Sequence, residues 1–223
     1  MTYTLTRSNR KTCAIYVRDG AVEVHAPRRM PLSEIEGFLA LKADWIQEKL
    51  ALSTALLEQR TSFALTYGDT VRYLGDLYPI LAQPGKQMGL SPDGFFMSPD
   101  LTPEEIKAAC IQIYRRAAKS VLPQKVQRFA EQMGVLPRNV KITGAKTRWG
   151  SCSARGNLCF SWQVMMADEA EVDYIVIHEL AHLKELNHGP QFWALVEATL
   201  PEYETCRERL KALQDQLRLE DWS

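Results

Sequence analysis

The sequence predicts an α+β protein, a β-rich N-terminal region with helices followed by a C-terminal domain dominated by helices. Three observations predict it. The first thirty residues alternate apolar and polar side chains around an Asp-Gly pair, a pattern of paired strands. From Pro31, Thr102, Glu169 and Pro190 onward, apolar residues recur at helical spacing. Short β-rich runs return at Val140–Thr143 and Leu158–Met165, just ahead of the closing helices.

Each element follows from local chemistry. Thr2–Thr6 and Thr12–Arg18 read as strands, and Asp19-Gly20 turns the second into Ala21–His25. Pro31-Leu32-Ser33-Glu34 opens a helix expected to run to about Leu57, because Ile35, Phe38, Leu39, Ile46 and Leu50 share one face. Phe63–Leu81 is a second β segment with turns at Tyr67-Gly68-Asp69 and Leu74-Gly75-Asp76. Pro84–Gly94 reads as loop and Gly94–Met97 as one more strand. Thr102 is placed to cap a helix that has Pro103 at its first position and reaches Gly134, with a bend or break expected at Pro123. A boundary near Ser98-Pro99-Asp100 would divide the chain into 1–99 and 100–223. Beyond it, Gly156-Asn157 is a turn, Glu169–Leu186 a helix, and Pro190 to about Leu219 a helix interrupted at Pro201.

Composition excludes several classes. The 223 residues carry 27 Lys+Arg against 27 Asp+Glu, so bulk charge does not hold this protein on nucleic acid. No run approaches the ~18 apolar residues of a membrane span. The opening MTYTLTRSNRK has no apolar segment after its charges, so no secretory signal is expected. Five cysteines without paired close spacing suit reduced thiols in the cytoplasm. Cys152 and Cys159 are too far apart for a zinc knuckle. Lys86 and the Gly85–Gly94 loop contain no P-loop.

Chemistry concentrates at His178-Glu179-Leu180-Ala181-His182. A helix turns about 100° per residue, so His178 and His182 project from one face and could reach one ion. Glu179, one step round, would face a water on that ion. This H-E-x-x-H is a zinc-hydrolase signature. Val172, Ile175, Val176, Ile177 and Leu180 make the helix apolar nearly all round, hence buried, and buried imidazoles need partners. A hydrogen-bonded pair of core histidines is the competing reading. His188 would be the third ligand if the chain folds back, with Asn187 or Gly189 supplying a left-handed turn. Three imidazoles leave a fourth position for water, the catalytic arrangement, and Glu179 would take that water's proton. Zn²⁺ is expected, with Ni²⁺, Co²⁺ or Mn²⁺ able to use the same donors. Arg148 and Tyr203 are candidates for stabilising developing negative charge.

Three blocks now resemble a known family: Thr147-Arg148-Trp149-Gly150-Ser151-Cys152-Ser153, Tyr174–His182, and Asn187-His188-Gly189-Pro190-Gln191-Phe192-Trp193. Together they are similar to the YgjP-like metal-dependent hydrolases, a bacterial group with a zincin-type metallopeptidase domain. The resemblance implies a zincin-like C-terminal domain with an active-site helix. It assigns His178, His182 and His188 as metal ligands and Glu179 as the catalytic glutamate. It sets the strand around Trp149, Gly150 and Ser151 along the substrate cleft. It also implies two substrate classes, peptides and nucleoside triphosphates, with UTP pyrophosphatase activity as the alternative to peptide cleavage. A non-catalytic, metal-stabilised binding module is the reading from another class. Oligomeric state is left open by the sequence.

Overall fold

The computed structural model describes residues 2–85 and 87–222, so Lys86, noted above beside its glycine loop, lies outside the described residues. The chain forms two compact units, one of residues up to Phe63 with Gln216–Asp221, the other Ala64–Asp215 with Trp222.

In the first unit, β1 (Thr4–Ser8), β2 (Ala14–Arg18) and β3 (Ala21–Pro27) form a sheet in the order β1-β3-β2. Asp19 and Gly20 both take positive φ, 47° and 73°, which gives the primed turn matching strand twist. Val22, Val24 and Ala26 point to one face of β3 and pack with Ile35, Leu39 and Ile46. Where one helix was expected there are two, α1 (Leu32–Leu41) and α2 (Ala43–Thr61), broken at Lys42 with φ −108° and ψ 12°.

The second unit opens with β4 (Thr70–Tyr73), β5 (Asp76–Ala82), β6 (Gly89–Ser91) and β7 (Gly94–Met97), ordered β4-β5-β7-β6. β6 lies inside the stretch expected to be loop. Its residues pair with β7, a contact that local sequence does not announce. Phe95 of β7 packs on Tyr114 at 5.1 Å, and Leu74 donates its N–H to the Met165 carbonyl at 2.9 Å. These contacts place residues 64–99 in the second unit, whereas the turn at Ser98-Pro99-Asp100 had grouped them with the N-terminal region.

α3 (Pro103–Met133) starts at the expected cap. Glu105 N–H donates to Thr102 Oγ1 at 3.3 Å, and Thr102 N–H to the Glu105 carboxylate at 2.8 Å. Gly134 ends it in the left-handed region at φ 61°. The helix passes through Pro123 unbroken. Ala118, Leu122, Val126 and Phe129 are buried around it, and that packing holds the turn despite the missing N–H.

A second sheet, β8 (Asn139–Thr143), β9 (Gly150–Cys152) and β10 (Asn157–Ser161), has the order β8-β10-β9, which leaves β9 at the edge. The run expected to stay extended to Met165 turns into a 3₁₀ segment at Trp162–Met166, capped by Ser161 Oγ accepting from Gln163 N–H at 3.3 Å. α4 (Glu169–Ala181), α5 (Pro190–Thr199) and α6 (Tyr203–Leu217) follow, separated near Pro201 as expected. None of the described helices is long and apolar enough to cross a membrane.

Candidate metal centre

The site is built on the last turn of α4. Its first turn is fixed by Asp168 N–H donating to Glu171 Oε2 at 2.9 Å. Val172, Ile175, Val176, Ile177, Leu180 and Ala181 are all buried, so the helix is held from every side and cannot rotate its histidines out. After His182 the chain tightens, with Lys184 and Glu185 N–H both donating to the Ala181 carbonyl at 3.0 and 2.9 Å. His188 is then returned by a three-residue turn in which Gly189 N–H donates to the Asn187 carbonyl at 2.7 Å. Neither Asn187 nor Gly189 takes a positive φ, so the left-handed turn expected there is not used. The tightened helix end makes the reversal without it.

The result brings His178, His182 and His188 together, one ring nitrogen from each lying within 4.8 Å of the others. Nε2 of His178 and Nε2 of His188 face each other at 3.0 Å. Two of the outward nitrogens are occupied. His178 Nδ1 meets the Tyr174 hydroxyl at 3.4 Å, and His182 Nδ1 meets the Glu185 carbonyl at 3.1 Å. Such partners orient ligand rings and set their tautomers. Burial, then the neighbouring imidazoles, lowers His178 to about 3, so it is a neutral ring with a lone pair to offer.

Beneath the three rings lies Phe192 of α5, fully buried, with its centroid 4.9, 4.7 and 4.6 Å from those of His178, His182 and His188. Trp193 stacks on His188 at 5.7 Å and donates its Nε1–H to the His188 carbonyl at 3.1 Å. Sequence reading quoted both aromatics within a motif but gave them no role. Their signal was the short interval after His188, meaningful only once the chain is known to fold back.

Glu179 is 6% exposed, and its Oε2 is buried with no hydrogen-bond partner. Burial raises its carboxyl to about 7, against the opposing pull of Arg148. β9 explains the glycine of the Trp-Gly-Ser-Cys run. A Cβ on Gly150 would sit 2.7 Å from Glu179 Cγ and Oε1, so only glycine admits this carboxylate. Cys152, on the same strand, has its thiol raised by burial and by the Glu179 charge.

Of the expected cleft residues, Arg148, Trp149 and Gly150 line a cavity of about 350 Å³ with His178 and Glu179. Ser151 is not among the residues lining it; it pairs with Cys159 in the sheet. Tyr203 does not line it either. Its ring stacks on Trp193 at 5.3 Å and on Tyr174 at 6.4 Å. The donor set suits a divalent transition ion: three imidazoles converge, the outer nitrogens of His178 and His182 are engaged, and a buried carboxylate oxygen of the neighbouring Glu179 lacks a partner.

Two solved structures are similar over part of the chain. The metallopeptidase zymogen of Pyrococcus abyssi abylysin is 28% identical, with 41% of this chain and 93% of that one covered and a TM-score of 0.39. That of Methanocaldococcus jannaschii jannalysin is 25% identical, with 43% and 96% covered and a TM-score of 0.37. Among curated proteins none matches significantly. A family model described as YgjP-like, metallopeptidase domain, matches residues 11–213. A match running through nearly the whole chain makes this protein a member of the YgjP-like metallopeptidase-domain family, a metal-dependent hydrolase.

Proposed function

We propose that this protein is a zinc-dependent peptidase of the zincin kind, in which His178, His182 and His188 hold the ion and Glu179 is the general base. The observation that carries the reading is the convergence of three imidazoles beside a buried carboxylate oxygen with no partner. A bound Zn²⁺ would supply Lewis acidity, polarising the scissile carbonyl and making a water more acidic. Glu179 then accepts a proton from the attacking water at its unpartnered oxygen and delivers it to the leaving amine. The Glu179 side chain is buried on α4 against Gly150 of β9. Arg148 faces developing negative charge from the cavity wall. Trp149 and Gly150 border the bound chain, and Tyr203 acts indirectly by buttressing Trp193. A cytoplasmic setting, suited to five free cysteines, belongs to the same proposal.

A second reading, hydrolysis of a nucleoside triphosphate such as UTP on the same residues, draws support from three cations beside Glu179: Arg148, Arg207 and Lys211. Metal content, cleavage of a quenched-fluorescent peptide library and pyrophosphate release from UTP, compared between the parent and Glu179→Gln, test both. The variant should keep its metal and lose about 10²–10⁴-fold in peptide turnover. Glu179-dependent pyrophosphate release without peptide cleavage would transfer the site to nucleotides. Equal behaviour of the two proteins would leave a binding module.

A further inference from the structure

The cavity beside Glu179 has two cations, Arg207 and Lys211, that the hydrolytic step does not use. Its wall is formed from two directions. Thr147, Arg148 and Trp149 come from the segment entering β9, while Arg207, Leu210, Lys211 and Gln214 come from one face of α6. Arg207 and Lys211 are one helical turn apart, an arrangement of like charges that costs a helix a few tenths of a kcal/mol. No ion pair relieves it among the described residues, for Arg148, Arg207 and Lys211 all lack a carboxylate within salt-bridge distance. Arg207 is held in place by Trp193, its guanidinium lying 5.3 Å from the indole centroid. Trp193 in turn stacks on His188, which ties this cation to the metal site. Among the described residues, Glu179 is the only acidic side chain that lines the cavity. The rest of the wall mixes the apolar Ile175, Leu210 and Trp149 with the polar Thr147, Tyr174 and Gln214.

We propose that this cavity is a substrate subsite that grips a carboxylate of the peptide, through Arg207 and Lys211 of α6. The inference rests on the peptidase reading and names its substrate class: peptides with a free C-terminus or an acidic side chain close to the cleaved bond. Guanidinium groups pair with carboxylates through two parallel hydrogen bonds, which gives orientation as well as affinity. The apolar Ile175, Leu210 and Trp149 suit a peptide side chain beside that carboxylate.

Binding to the zinc-loaded Glu179→Gln protein separates this inference from the catalytic one, because no turnover is needed. The probe is an alanine-rich fluorescent pentapeptide in three forms: free C-terminus, C-terminal amide, and amide with one internal aspartate. Anisotropy should show the free acid or the aspartate form binding about 10- to 100-fold tighter than the plain amide, the range of one or two charge-assisted hydrogen bonds. Whichever of the two binds tighter identifies the carboxylate. In Arg207→Ala/Lys211→Ala on the same background, folded by circular dichroism, the acid-to-amide ratio should fall towards one. Three forms binding alike, or none binding, would overturn the proposal, as would a preference that survives the double substitution. UTP displacing peptides that are themselves indistinguishable would assign the cations to phosphate and overturn it too. A carboxylate preference found in a protein that never cleaves peptide would refute the role of Glu179 and leave the subsite standing.

Discussion

A Cβ-sized gap governs the candidate site. Gly150 leaves the space that the Glu179 side chain fills, with no slack for a methyl group. Gly150→Ala should therefore push the carboxylate aside while leaving the three histidines untouched. Metal content should stay at the parent level and turnover should fall about 10²-fold, the cost of misplacing a reacting group by roughly an ångström. Parent-like turnover would show that Glu179 has room to move. At this scale the sequence was informative wherever spacing along one helix decides geometry. His178, Glu179 and His182 come together through α4 alone. His188 needed a chain reversal, which the motif indicated while the turn chemistry did not. Phe192 contacts the imidazoles only through tertiary packing, whereas Tyr174 meets His178 from one turn earlier on the same helix, a spacing the sequence did carry.

Among the elements, α3 and α4 are joined by a buried charge. Lys125 Nζ donates to Asp173 Oδ1 at 2.6 Å and to Glu169 Oε1 at 2.9 Å. Burial would lower the lysine, but the hydrogen bonds and charges of Asp173 and Glu169 outweigh it and raise the group above 10.5. The hydrogen bond from Lys125, then its charge, holds Glu169 below 4.5. The lysine's contribution is complete below 10.5 and fades as pH rises through its raised folded value; the glutamate's is present above 4.5 and fades as pH falls through its lowered one. Between those limits Lys125→Met should cost about 2–3 kcal/mol, mainly by stranding Asp173. Denaturant midpoints at neutral pH and near pH 3 check this, and an undiminished difference in acid would contradict it. Helix starts and turns were legible because capping residues and glycines act locally, as at Thr102 and Gly134. The break at Lys42 was not: Ile35, Leu39 and Ile46 keep helical steps across it, so periodicity reads straight through.

For the whole molecule, the C-terminal residues count beyond their number. Gln216–Asp221 belongs to the compact unit containing the first sheet, and Trp222 to the other. Trp222 is 7% exposed and packs edge-on against Tyr114 at 5.9 Å and Trp162 at 6.1 Å. Trp222→Ala should lower stability by about 3–5 kcal/mol, the usual loss for a buried large aromatic. A midpoint within error of the parent would mean that this ring is not part of the core. The α+β class was readable from strand and helix patterns alone. The division of the chain was not, because Leu74, Phe95 and Trp222 meet partners far away in sequence.

Phe192 gives the histidines a shared magnetic environment. Its ring meets those of His178 and His188 at 72° and 78°, and that of His182 at 36°, all within 5 Å. A circulating π-current displaces the resonances of protons held that close, by amounts that depend on angle. Phe192→Leu should therefore shift the imidazole signals of all three residues together in a proton–nitrogen correlation spectrum. His25, whose aromatic neighbour is Tyr16 at 5.0 Å, should keep its signal. One spectrum would thus sort the four histidines of this chain into a cluster of three and an internal standard.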